Sequence, residues 1–230
     1  MTARRSAPKH QRVVGVIASH ADLDNALRMR NRPDFFELRL DRLTDTVDQL
    51  ENNLPGLRVP LIITARHPRE GGANKLSVRQ RRDLLTRFLP HANYIDVELR
   101  SASALLSLLT LAKHKKVRSI ISFHNFKSTP LPPVLVAKAR AAKACGANIF
   151  KIATRTDTPI ELARLLEFLT RKKVNLSVAA MGIGKLGAIS RILLARAGSA
   201  LAYASVSTET DIEGQLSLEQ LRALGIASRR

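Results

Sequence analysis

Short apolar runs rich in valine and isoleucine alternate with longer stretches whose apolar positions recur at helical spacing, and the alternation repeats eight times along the chain. The runs predict strands at 13–18, 35–40, 59–65, 94–99, 117–123, 148–153, 175–181 and 200–205. The stretches between and after them predict helices at 21–30, 46–52, 77–88, 102–115, 133–145, 159–172, 186–197 and 217–224. Start signals support several of these. Asp157-Thr158-Pro159-Ile160-Glu161, for instance, sets a cap, then a proline in the first turn, then an acid. Eight strand-helix units in 230 residues point to an α/β chain folded as a (β/α)8 barrel with little room for insertions; an open doubly wound sheet is the rival.

Polar residues inside the strands decide between these two. Glu37, Arg39 and Asp41 alternate with Phe36, Leu38 and Leu40, while Asp96 and Glu98 alternate with Ile95, Val97 and Leu99. Thr64 and Arg66 share one parity on the third strand, Ser122 and His124 on the fifth, and Lys151 and Ala153 on the sixth. Central strands of an open sheet have no interior for such charges, whereas a barrel has a lumen. The apolar parity then meets the helices. Arg66, Glu98, His124 and Lys151 fall at or near strand ends, where barrels place their chemistry.

Lys151 is the most informative of these residues, because it interrupts the run Asn148-Ile149-Phe150-Lys151-Ile152-Ala153-Thr154. A buried lysine must pair, snorkel or shed its proton, since an unpaired ammonium out of water costs several kcal/mol, roughly. As a neutral amine it condenses with a carbonyl to an imine, an electron sink for breaking a neighbouring bond. His124, in Ser122-Phe123-His124-Asn125-Phe126, is suited to move the proton. The bland alternatives are a lysine paired with Glu98 or Asp96 in a structural network, and a histidine satisfied at a strand end.

Other segments are less decisive. In Thr64-Ala65-Arg66-His67-Pro68-Arg69-Glu70-Gly71-Gly72 the glycines allow a turn that returns Glu70 over the mouth, although an exposed turn has the same composition. Glu37 with Arg39 reads equally as a lumen ion pair or a hydroxyl-binding pair. Gly182-Ile183-Gly184-Lys185-Leu186-Gly187 has the G-x-G-x-x-G spacing, but after the seventh strand, where a barrel holds an anionic group rather than a dinucleotide. Arg191 follows it and could bind a carboxylate if it points back to the mouth. With no HExxH, Cys/His cluster or P-loop, no metal and no nucleotide cofactor is expected.

The hydrophobic content of 45% suits one globular domain, read as 13–230 behind a basic tail at 1–12. The lone Cys145 excludes an intramolecular disulfide and reads as a small buried residue near a helix end. No apolar run approaches the roughly 20 residues of a membrane span, so a soluble, cytoplasmic protein is expected. Net charge changes the picture more. At +19 the chain attracts anions, yet its cations are scattered in groups such as Arg28, Arg30, Arg32, then Arg79, Arg81, Arg82, then Lys113, Lys115, Lys116. These groups read as solvated helix faces, and aromatics at 4% supply no base-stacking platform.

Together the segments resemble type I 3-dehydroquinate dehydratase, the Schiff-base enzyme of the shikimate pathway, from the second strand onward. The resemblance rests on Glu37-Leu38-Arg39-Leu40-Asp41, Thr64-Ala65-Arg66 through Gly72, Ser122 through Phe126 with Thr129-Pro130, Gly146-Ala147-Asn148 leading to Lys151, Met181 through Arg191, and Gly214-Gln215. It implies a lyase that converts 3-dehydroquinate to 3-dehydroshikimate by syn elimination. Lys151 would form the imine, His124 would move the protons and Glu70 would orient His124. Glu37, Arg39, Arg66, Arg191 and Gln215 would bind substrate, with Arg191 on the carboxylate. It also implies a homodimer. Asn125 stands where the family usually has aspartate after the histidine, which predicts slowed turnover, and Thr210-Asp211-Ile212-Glu213 departs from the usual closing loop. The short N-terminal segment predicts no closing hairpin beneath the barrel. The competing readings are a Schiff-base aldolase whose glycine-rich turn binds a sugar phosphate, and a catalytically weakened barrel that binds nucleic acid or another polyanion.

Overall fold

The computed structural model describes residues 11–171, 174–207 and 212–226. Its strands are β1 (Val13–Ile17), β2 (Phe35–Arg39), β3 (Leu61–Thr64), β4 (Tyr94–Glu98), β5 (Arg118–Asn125), β6 (Ile149–Arg155), β7 (Ser177–Ile183) and β8 (Ala202–Ser205). The helices are α1 (His20–Arg28), α2 (Val47–Leu57), α3 (Val78–Phe88), α4 (Leu106–His114), α5 (Pro132–Ala144), α6 (Pro159–Arg171), α7 (Gly187–Arg196) and α8 (Leu218–Ala223). All ladders are parallel and run in the order β7-β6-β5-β4-β3-β2-β1-β8. The last seam, between β8 and β7, is closed by Ala200 N–H donating to Val178 O at 2.7 Å and by Ser199, whose Oγ accepts from Ala180 N at 3.0 Å. The (β/α)8 barrel expected from the alternation is the observed fold, and no helix among the described residues is long and apolar enough to cross a membrane.

Strand parity sorts the core into two layers. Phe36, Leu38, Leu40, Ile63, Ile95, Val97, Phe150 and Ile152 face outward and meet Leu50, Leu54, Leu85, Leu165 and Phe168 of the helices. Each such side chain stabilises the fold by roughly 1.5–3 kcal/mol on full burial. Val14, Phe35, Ile62, Tyr94, Ile120 and Ile149 point inward from the strand starts and fill the barrel's floor. There Phe35 meets Tyr94 edge-on with centroids 5.7 Å apart, and the Arg118 guanidinium lies 4.3 Å over the Tyr94 ring. The floor among the described residues is therefore closed by side chains, and the expected lack of a hairpin at 1–10 falls outside them.

Two helices depart from expectation. The sequence signals end the second helix at residue 52, but α2 runs through Pro55 to Leu57. Proline falls in its last turns, and the burial of Leu54 and Leu57 outweighs the lost hydrogen bond. The fourth starts at Leu106 rather than 102, because a 3-10 turn at Leu99–Ser101 and the turns after it carry the chain away from Glu98 first.

Candidate active site

Above the apolar floor the lumen turns charged. Lys151, in the middle of β6, is 4% exposed and donates from Nζ to Glu37 Oε1 and Asp96 Oδ2, each at 3.0 Å. Of the three ways to bury a lysine, pairing is the one observed. The Tyr203 ring of β8 lies 4.1 Å beneath the same nitrogen. Arg66, just past β3, binds both oxygens of Asp96 at 3.0 and 2.8 Å and reaches Glu98 at 3.3 Å and Ser122 Oγ at 2.6 Å. Burial disfavours both charges, yet Arg66 and Lys151 hold Asp96 well below the usual carboxylate range, and the surrounding acids hold Arg66 well above its own.

His124, near the end of β5, faces this network from above. Glu70 Oε2 accepts from the His124 backbone N–H at 3.0 Å and meets Nδ1 at 2.9 Å, which leaves Nε2 as the other ring nitrogen. The 3-10 turn Pro68–Glu70 places that carboxylate, and the chain can turn there because Gly72 passes so close to Arg66 O that a Cβ would sit 2.1 Å from it. Burial and the neighbouring Arg66 and Lys151 charges push the His124 imidazole well below its ordinary pKa, toward the neutral form. Burial, reinforced by Glu98, lifts Glu70 to about 7.

Arg191 approaches from the opposite wall. It is 5% exposed, donates from Nε to Gly214 O at 3.1 Å and from Nη1 to Tyr203 O at 3.0 Å, and has no carboxylate partner among the described residues. Burial alone pulls it down to about 10. The loop it anchors carries Ile212 and Gln215, while Glu213 turns outward to Arg155 at 3.1 Å. Residues 208–211 of the unusual closing loop lie outside the described residues.

These walls enclose a cavity of about 260 Å³. Lys151, His124, Glu70, Glu37, Arg39, Arg66, Arg191 and Gln215, the eight residues singled out in the sequence, all line it. Several finer readings need correction. Glu37 and Arg39 do not pair: Glu37 accepts from Thr64 and Lys151, whereas Arg39 makes a bidentate contact with Asp41 at 3.0 and 2.8 Å. Arg81 is no solvated residue. It is fully buried on α3 and ties Ala65 O, Ser101 and Glu98 together, because helical spacing turns it inward between the exposed Arg79 and Arg82. Glu98 is thus drawn into a link between β4 and α3 and does not line the cavity.

The glycine-rich turn is the largest correction. Its N–H groups are already taken: Gly184 donates to Glu213 O at 3.0 Å, Lys185 to Asp157 Oδ1 at 2.9 Å, Leu186 to Thr156 O at 3.0 Å and Gly187 to Gly184 O at 2.8 Å. None is left to cradle a phosphate. The small residues serve packing instead, since a Cβ on Gly187 would come within 2.9 Å of Gly214 Cα, where the closing loop crosses the turn. Sequence reasoning passed over Tyr203, Phe126 and Met181, which also line the cavity. For Tyr203 the available signal was its strand parity, which it shares with no charged neighbour on β8.

The fold and this cavity define a (β/α)8-barrel enzyme whose mouth combines a buried amine, a carboxylate-held imidazole and an unbalanced guanidinium. The chain belongs to the type I 3-dehydroquinase family, whose model matches residues 13–226, and it is thereby a carbon-oxygen lyase. Among curated proteins it is 32% identical over 205 residues to a 3-dehydroquinate dehydratase of Geobacillus sp., covering 84% of this chain and 79% of that one. It is 35% identical over 195 residues to one of Pyrococcus abyssi, covering 83% and 86%. The crystal structure of 3-dehydroquinate dehydratase from Geobacillus kaustophilus superposes with a TM-score of 0.83 at 25% identity, over 94% of this chain and 90% of that one.

Proposed function

We propose that the enzyme, like the relatives named 3-dehydroquinate dehydratase, dehydrates 3-dehydroquinate, giving 3-dehydroshikimate in the shikimate pathway through an imine on Lys151. The observation that carries the reading is the convergence of Lys151 and a Glu70-held His124 on one cavity. Lys151 Nζ gives up a proton and attacks the substrate ketone, and loss of water leaves the imine. With Nδ1 on Glu70, His124 Nε2 takes the proton from the neighbouring carbon. The electron pair passes into the imine, giving an enamine. Its return expels the β-hydroxyl, which leaves as water with the proton His124 now carries. Water then hydrolyses the imine and frees Lys151.

The charge pattern supports this assignment. Arg191 offers an anionic substrate a buried guanidinium with no carboxylate partner among the described residues, and Gln215 lies beside the same cavity. Glu37, Arg39 and Arg66 offer oxygens and N–H groups to hydroxyls. A phosphorylated substrate finds no matching turn. Borohydride reduction in the presence of 3-dehydroquinate, followed by intact-mass measurement, tests the reading. A covalent adduct in the wild type that is missing from Lys151→Ala is expected, and its absence from folded wild-type protein at saturating ligand would falsify the imine mechanism.

A further inference from the structure

The cations that the sequence scatters are gathered by the barrel's topology at one end. Every connection from a helix to the next strand lies at the face where the strands begin, opposite the mouth. The end of α1 and the α1–β2 connection carry Arg28, Arg30 and Arg32, the α2–β3 connection carries Arg58, and the end of α4 and the α4–β5 connection carry Lys113, Lys115 and Lys116, with Arg118 opening β5. Lys143, Arg171, Arg196 and Arg222 end the later helices. Among the described residues these connections hold a single carboxylate, Asp34. Arg12, directly before β1, lies at the same end.

Helix dipoles explain part of this, because cations in a last turn are favoured by a few tenths of a kcal/mol to about 1 kcal/mol. They do not explain the residues beyond the helices. Arg58 and Lys116 adopt φ of 54° and 60°, the left-handed conformation, at the position after a helix where Gly146, Gly198 and Gly225 stand elsewhere in the barrel. A charged side chain is kept at two turns where glycine relieves strain. Arg28, Arg30, Arg58, Lys113, Lys115, Lys116 and Lys143 are all exposed, and none makes an ion pair among the described residues. At the mouth, by contrast, Arg39, Arg66, Lys151 and Arg155 are each paired with acids.

The chemistry of the face narrows its partner. Among the described residues, the large apolar side chains exposed at this end are Leu224 and, in the last turns of α4 and α7, Leu111 and Leu193, too few and too scattered to enter a bilayer, and Tyr94 is covered by Arg118, so no aromatic is offered to an unstacked base. What remains is a broad array of point charges, which suits a rigid, regularly spaced line of phosphates. We propose that the N-terminal face of the barrel docks the phosphate backbone of double-stranded nucleic acid, independently of base sequence and with the mouth left open. This rests on the charge array alone and not on the imine mechanism.

Fluorescence anisotropy with a labelled DNA duplex of about 30 base pairs tests it, across roughly 50 to 200 mM salt. The wild type is expected to bind and to weaken about a hundredfold or more over that range, since each phosphate contact contributes about 0.9 to the log-log slope. The exposed set Arg30→Gln, Lys113→Gln, Lys115→Gln and Lys116→Gln should bind at least about tenfold more weakly, with the slope reduced by about 2 to 4 and lyase activity and melting temperature retained. A variant carrying Lys113→Arg, Lys115→Arg and Lys116→Arg should bind like the wild type. Lys127→Gln with Lys185→Gln, at the mouth, should leave binding unchanged. The proposal is overturned by absence of binding at the low-salt end, by equal weakening in the mouth variant, or by tighter binding to anionic vesicles or polyglutamate than to the duplex.

Discussion

Two walls of the active cavity carry positive charge in opposite states. On the β2–β6 side, Lys151 lies 3.0 Å from both Glu37 and Asp96, and Arg66 grips Asp96 with both its terminal nitrogens. On the β7–β8 side, Arg191 is as deeply buried, but its partners among the described residues are two backbone carbonyls. Carbonyl oxygens satisfy N–H groups without cancelling charge, so burial pulls Arg191 down to about 10 while Arg66 is driven up. The paired wall fixes side chains in place before a ligand arrives. In the proposed reaction, the unpaired wall is completed by an anion that the ligand supplies.

Removing charge from the paired wall should have the largest effect on rate. Lys151→Ala is expected to lower kcat by about five orders of magnitude, the order of the effective molarity lost with a positioned nucleophile. Folding should survive, because Arg66 still bridges Asp96 and lies 3.6 Å from Glu37. Single-turnover kinetics beside a thermal melt would check both halves. A variant that keeps more than about a tenth of wild-type kcat would mean that Lys151 serves only as a counter-ion.

Breaking the unpaired wall should act on binding instead. Arg191→Ala is expected to raise KM roughly a hundredfold with kcat changed less than about tenfold, the loss typical of a truncated charge contact. The substrate or product, which raises the wild-type melting temperature by mass action, should barely move that of the variant. Arg191→Lys keeps the charge but cannot donate to Gly214 O and Tyr203 O while also holding a carboxylate in a fork, so an intermediate KM is expected. If kcat collapses while KM holds, the charge difference between the walls does not divide the labour as described.

Why the sequence revealed one wall more fully than the other follows from periodicity. Lys151, His124 and Glu37 announce themselves because each breaks a strand's apolar pattern, and strand parity assigns them to the lumen without any knowledge of contacts. Which acid each cation chooses is set by lateral register, as in Thr64 opposite both Arg39 and Asp96, and register is not written in any one segment. Of the two readings of Glu37 with Arg39, the lumen ion pair failed for that reason. Arg81 was hidden differently: within the triplet Arg79, Arg81, Arg82 only the phase of α3 distinguishes the inward residue. The basic face was hidden by dispersion, since its members are neighbours only once the seven helix-to-strand connections meet at one end.

His124 and Glu70 sit over the boundary between the two walls, and pH is the probe there. Glu70 must be ionised to hold Nδ1–H, so kcat/KM is expected to fall as pH drops through about 7, the value to which burial and Glu98 raise it. Glu70→Gln should abolish that limb, lower the plateau by roughly tenfold, and leave a limb at more acidic pH from His124, whose own pKa is depressed by burial, Arg66 and Lys151. Stability should move the other way. A raised carboxyl pKa favours folding below its ordinary 4.5 and loses that contribution as pH rises through about 7. Glu70→Gln is therefore expected to gain stability relative to wild type at alkaline pH, read by urea titration at two pH values.

The smallest effect is expected beside His124, where the resemblance implies aspartate and this chain has Asn125. On charge alone, Asn125 in place of aspartate should slow turnover by failing to stabilise an imidazolium. The side chain is instead engaged in the following turn. Asn125 Oδ1 accepts from the backbone N–H groups of Lys127 at 2.9 Å and Ser128 at 3.4 Å, and it does not line the cavity. Adjacent residues on a strand point to opposite faces, so position 125 is turned away from the face that carries His124. An aspartate would fill the same turn with the same oxygen geometry. Asn125→Asp is accordingly expected to change kcat by less than about threefold, the scale of a half-exposed charge acting through water. A tenfold rise, with the acid limb of the pH profile displaced, would restore the charge argument and extend the paired wall to the residue behind the histidine.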